Sequence, residues 1–584
     1  MLIPFHRKVS KRVAAGGRPN HKFTRTPLPA KERGKAMPSS IRHLLSALFV
    51  CALCFAAALG DDGEMSHIGA MPEKLGTVHF PVSCSPVAAA QFERAVGILH
   101  SFGYPEAAEA FHGVAQTDPT CAMAFWGVAM TYYHQMWEPP DISALAAGWQ
   151  AAETARKLGA KTRRENDYIE AIGTFYKNYD TLDYRTRALA YTSAMERLYV
   201  RYHDDREAAI FYALALDATA PPTDKTYANQ RKAGAILETI FVEQPDHPGV
   251  AHYIIHADDY PPLAEEGLPA ARRYAQIAPS MSHALHMPSH IFTRLGLWDE
   301  SIASNLASSD AIAQTNAAGS SGSTSNGQQL HAWDYLEYAY LQTGQLRQAK
   351  AVAERVAAIK TVMPQDLPAA YGITAIPARY VVELGRWAEA AKLPLNLAGI
   401  PADKYPWCVS TVTFARAVGL ARTGDPQASA FANELAADVT RLKAANQPYW
   451  ASEVQIELDE ADGWLAHGAK KDDVALADMR AAVALEDSTE KHAVTPGPIV
   501  PAHEMLGDLL VATGQPGLAL AEYEASLHIS PNRFHALAGA AHAAFLSGDK
   551  VKARTYYAQL VVVAKHADPD VAAITEAKAF LAAN

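Results

Sequence analysis

The stretch PAHEMLGDLLVATGQPGLALAEYEASLHISP, Pro501–Pro531, and the run FHALAGAAHAAFLSGDKVKARTYYAQL that starts at Phe534 decide the fold. Gly514 recurs as Gly548, Ala519 as Ala553 and Tyr523 as Tyr557, each 34 residues later. Each run holds two apolar-periodic segments around a Gly turn, a pattern that predicts a helical hairpin. Small residues let the two helices approach closely, the aromatic fills their junction, and Pro531 stops the second helix. Such a unit cannot bury its apolar face alone and has to stack on neighbours.

Working outward, Ala107, Phe111 and Pro119 keep the same spacings of four and twelve, and Trp126-Gly127 opens the helix that follows. Gly296, Gly344, Gly385, Gly424 and Gly468 each fall in the turn of a plausible hairpin. The units differ in length, and GSSGSTSNG, residues 319–327, interrupts them as a loop. Gly507, Gly514, Ala519, Tyr523 and Pro531 stand where the tetratricopeptide-repeat family carries its signature, and the chain resembles that family over roughly residues 85–575. The central segments HPGVAHYIIHADDYPP and ALHMPSHIFTRLG resemble those of uncharacterised exported bacterial members. The resemblance implies an all-α fold, a right-handed superhelix of antiparallel helix pairs with irregular repeats. It also implies a concave groove able to take a peptide, a protein or a small molecule.

The 584 residues carry a net charge of -10 and a mean hydropathy of -0.10, which excludes a disordered or fibrous chain. Residues 1–42 hold eleven basic and one acidic residue, so the remainder has 41 basic and 61 acidic, or -20. An acidic body without a recognised motif argues against a nucleic-acid partner. Residues 44–58, LLSALFVCALCFAAA, follow Arg42 and precede small residues, the order of a secretory signal and too short for a comfortable span. The organisation expected is therefore a basic, mis-called extension at 1–36, a signal peptide at 37–60 and a lead-in at 61–84. Irregular repeats follow at 85–247, then His-rich repeats at 248–360, further irregular repeats at 361–499 and a terminal pair at 500–575. The mature protein is expected to be exported, periplasmic or extracellular, with no stable membrane anchor. In an oxidising compartment Cys84 and Cys121 either pair or serve as small core residues. Cys51 and Cys54 leave with the signal, and Cys408 reads as a buried thiol.

Histidines carry the chemistry. With Gly296 as the fifteenth residue of its unit, that unit starts at Ser282, and His283, His286 and His290 take positions 2, 5 and 9. One period earlier the unit starts at Pro248, and His252 and His256 again take 5 and 9. Gly344 as anchor puts His331 at position 2 and Asp334 at 5. Residues four apart share a helical face, and packed helices lie about 8–10 Å apart. His252, His256, His286 and His290 are therefore expected to converge on one transition-metal ion, zinc or copper before nickel or iron. His283 and His331 are weaker ligand candidates. Asp258, Asp259 and Asp334 are candidates to orient an imidazole, accept a proton or join the ligands. Pro288 is expected to break the helix, leaving His286 on the preceding turn. A His-rich groove for an anionic ligand is the competing reading. His503-Glu504 is not followed by the second histidine of a zinc-protease motif, and no nucleotide-binding or nucleophile-elbow motif is present. Two functions follow: a metal-dependent enzyme of unspecified reaction, and a non-catalytic scaffold holding a partner in the groove.

Overall fold

A computed structural model of the chain describes residues 73–583 except Trp137, residues 318–323 and residue 326. The expected extension at 1–36, the signal at 37–60, half of the lead-in and most of the 319–327 loop lie outside the described residues. Those described form 26 helices, consecutive ones packed as antiparallel pairs, and one pair of two-residue parallel strands, Thr324–Ser325 beside Thr361–Val362. The protein is thus all-α and built as a tetratricopeptide-like solenoid.

The hairpin logic of Pro501–Pro531 holds at atomic level. Helix Ala502–Ala512 turns at Gly514, with φ +75°, into helix Pro516–Ile529. The ring of Tyr523 fills the junction so tightly that a Cβ on Gly507 would come within 2.8 Å of it. Two large apolar cores result, one from Leu75 to Phe292 and one from Leu330 to Ala577. Cys84 and Cys121 form a disulfide that ties the lead-in to the start of helix Ala122–Thr131.

The repeats also close on themselves. Asp568 N–H donates to the Gly344 carbonyl at 3.0 Å, and the Trp298 indole donates to the Asn532 carbonyl at 2.8 Å. The buried Arg533 guanidinium reaches Glu383, Glu504 and Tyr338, joining three units. Gly296 packs against Pro531, where a Cβ would meet the carbonyl oxygen at 2.2 Å. The connection between helices Asp472–Glu486 and Ala502–Ala512 crosses to the amino-terminal half. Glu490 there takes Lys225 at 2.8 Å and Tyr227 at 2.6 Å, and Lys491 reaches Asp259 at 2.7 Å. This strap encloses the central helices that carry the histidines.

Candidate metal centre

Helix Pro248–Asp258 is buried along its whole length. Pro248 starts it where no N–H is needed, and His247 caps it by accepting the Val250 N–H at 3.3 Å. His252 and His256 share one face of this helix. The next first helix is split as expected: Ser282–His286 ends before Met287, and Pro288–Arg294 begins anew. His283 and His286 lie on the first piece and His290 on the second, while helix Gly327–Gln342 brings His331.

The six imidazoles divide into two triads. His252, His256 and His283 offer ligand atoms within 4.8 Å of one another, as do His286, His290 and His331. Each triad takes positions 5 and 9 of one unit and position 2 of the next, so the solenoid repeats the site. The sets adjoin, with the His256 and His290 rings 6.0 Å apart and the His283 and His286 rings also 6.0 Å apart. His283 and His331, ranked behind the other four from sequence, are full members. The four-histidine grouping around one ion is not the grouping the helices present.

Hydrogen bonds fix the orientation of four rings. His252 Nδ1 lies 2.6 Å from the His100 carbonyl oxygen, and His286 Nδ1 lies 2.6 Å from Asn305 Oδ1. The Asn305 amide group donates to the Ser301 carbonyl, which leaves its oxygen for His286. His290 Nδ1 lies 2.9 Å from the Asp259 carboxylate, and His283 Nδ1 lies 3.1 Å from Gln328 Oε1. Partners that only accept require Nδ1–H, and a neutral ring then keeps its lone pair on Nε2. Burial pushes all six histidines below their ordinary 6.5, His283 to about 3, and neighbouring imidazoles add to the effect in most of them. None is more than 4% exposed.

Lone pairs consequently face one another. His252 Nε2 and His283 Nε2 are 3.2 Å apart, and His286 Nε2 and His290 Nε2 are 3.1 Å apart. Two acceptors at that distance repel unless a cation lies between them. A tetrahedral ion with N–metal bonds of about 2.0–2.1 Å separates its nitrogens by roughly 3.3 Å. His256 Nε2 is buried without a hydrogen-bond partner, as a third donor of the first triad would be.

The carboxylates do not all join. Asp259 does, holding His290 while Lys491 and Arg294 bind it at 2.7 and 2.9 Å. Burial alone would raise its pKa, but those two cations outweigh burial and hold it well below the usual range. Asp258 sits beside Gly267 instead, pushed up to about 8 by burial and then by Glu238. Asp334 accepts from Arg379 at 2.6 Å instead.

A third group, His100, Glu207 and His247, is also compact. Here each ring nitrogen already has a partner. Glu207 takes both Nε2–H groups at 2.9 and 2.8 Å, and the Tyr253 hydroxyl meets His100 Nδ1 at 2.9 Å. The group lies beside the His100 carbonyl oxygen, which is 2.6 Å from His252 Nδ1. A Cβ on Gly249 would fall 2.4 Å from His100 Nδ1, so this packing needs glycine.

Several supporting residues have no signature in the sequence. Asn305, Gln328 and Tyr335, whose hydroxyl donates to the Thr495 carbonyl and lies 3.1 Å from His290 Nδ1, lie in ordinary helices. Phe102 lies over the first triad, its ring 4.4 Å from His252, 5.5 Å from His256 and 5.6 Å from His283.

No family model matches the chain, and no curated protein does. Solved structures resemble it only in being long helical repeats. A human IFIT1 dimer with m7Gppp-AAAA is 11% identical, covering 76% of this chain and 90% of its own, with a TM-score of 0.34. Yeast Tom70 is 10% identical, covering 85% and 96%, with a TM-score of 0.30. Similarity this distant carries no functional argument.

Proposed function

We propose that the protein is an exported metalloprotein holding two transition-metal ions, zinc or copper, one in each histidine triad. The observation that carries this reading is the facing pair of Nε2 lone pairs, 3.2 Å apart in one triad and 3.1 Å in the other. Three imidazoles suit zinc, copper, nickel or iron and do not suit calcium or magnesium. Three protein ligands also leave a coordination position open, the arrangement of catalytic rather than structural zinc. An ion so held would lower the pKa of a bound water or polarise a substrate oxygen. We therefore favour a metal-dependent enzyme. A peptide scaffold needs its histidines on an accessible groove, and here they are enclosed beneath the strap. Export is supported by the basic, apolar, small-residue order of residues 42–60 and by the Cys84–Cys121 disulfide.

Elemental analysis of untagged full-length protein tests the reading. The expected contents are two ions per chain for the wild type and one for both His256→Ala and His290→Ala. Equal metal content in all three proteins would refute it.

A further inference from the structure

The histidines are buried, but one of them meets an open cleft. A cleft of about 550 Å³ has His283 and Phe102 in its wall, together with Gln328, which holds His283 Nδ1. That volume lies within the range of small-molecule sites. Its lining is mainly apolar and its shape is set by stacked rings. Phe102 and Tyr104 are parallel within 18° at 5.3 Å, and the His134 ring lies 4.5 Å from Tyr104, tilted by 33°. The shelf thus runs outward from the first triad. Glu138 and Lys404 stand among the polar groups of the lining. Phe102 reaches its place through a left-handed backbone, φ +53°, rare for a bulky side chain.

We infer that this cleft is the substrate site of the first triad, and that it takes a small aromatic molecule bearing a hydroxyl or amino donor. The inference rests on the two-ion reading above. A planar ring laid across the edges of Phe102, Tyr104 and His134 gains edge-to-face contacts, which aromatic pairs favour. A donor atom on that ring then points towards His283 and the open position of the ion held there. Phe102 is a positioning residue: it packs against the three imidazoles and offers its edge to the cleft. An aliphatic ligand would forgo the edge-to-face contacts, and a bare inorganic anion would leave most of the cleft unfilled.

The test uses the full chain loaded with Co(II), with 4-nitrocatechol as the aromatic probe and azide as a small anion indifferent to cleft shape. Ala144 and Ala108 line the cleft and belong to neither triad, so Ala144→Trp and Ala108→Trp fill it independently. Wild type should bind 4-nitrocatechol with a cobalt-dependent change in its absorption. Either tryptophan variant should weaken that binding at least tenfold while keeping two ions and an unchanged azide response. Phe102→Leu should weaken the probe several-fold. Two-ion protein that does not respond to 4-nitrocatechol overturns the inference and leaves the metal reading intact. So does probe binding that both tryptophan variants leave unchanged, or that metal-free protein matches. Failure to take up Co(II) at all sinks the metal reading and the inference with it.

Discussion

Replacing Asn305 by alanine should weaken one metal site and spare its neighbour. His286 Nδ1 donates to Asn305 Oδ1 at 2.6 Å, with the Ser289 hydroxyl at 3.5 Å. With the amide gone, the proton is free to move to Nε2, which lies 3.1 Å from His290 Nε2 and can donate to it. The ion must then displace a proton and recover the ring orientation. Loss of such an outer hydrogen bond costs about 10–100-fold in metal affinity, or about 1.4–2.7 kcal/mol. The first triad should not respond, because His252 and His283 lean on the His100 carbonyl and on Gln328. Asn305→Asp should act in the opposite sense, since a carboxylate makes the ring a better donor. Zinc competition against a chromophoric chelator resolves the two dissociation constants. Equal weakening of both sites, or none at either, would refute the assignment of separate, individually supported triads.

Other consequences follow from the same contacts. Gly249→Ala should destabilise the metal-free chain by about 1–3 kcal/mol through overpacking against His100, and weaken the first triad alone; thermal denaturation and metal titration read the two effects. Replacing both Cys84 and Cys121 by serine opens a link of 37 residues, and chain entropy puts the loss near 4 kcal/mol, visible as a lower Tm under non-reducing conditions only. Glu453 is pushed from 4.5 up to about 8 by burial and then by Glu486. Its folded value lies above the unfolded one, so its stabilising contribution is complete below pH 4.5 and is lost as pH rises through 8, at no more than about 1.4 kcal/mol per pH unit. Glu453→Gln should therefore flatten the fall of Tm between about pH 5 and 8, and an unchanged profile would contradict the burial argument.

The repeat was readable where its spacing is regular. Gly514, Ala519 and Tyr523 mark helix junctions that recur 34 residues later, and these junctions pack as their sizes require. The closure of the solenoid was not readable. It depends on single long-range partners such as Arg533 with Glu383 and Glu490 with Lys225, which no local period encodes. At the site, the i,i+4 spacing of His252 and His256 put two imidazoles on one helical face directly. The partition into triads was hidden because position 2 of a unit faces back onto positions 5 and 9 of the unit before. That rule places His283 with His252 and His256, and His331 with His286 and His290. With it, the sequence would have yielded both sets. Asn305, Gln328 and the His100 carbonyl would still have escaped notice, since an amide or a backbone oxygen becomes a support only once the helices are stacked.

Anomalous diffraction from crystals of the zinc-loaded protein, recorded at the metal's absorption edge, tests the central claim most directly. The account predicts two peaks, one bounded by Nε2 of His252, His256 and His283 and the other by the imidazoles of His286, His290 and His331. A single peak shared by His252, His256, His286 and His290, or no peak among these six residues, would contradict it.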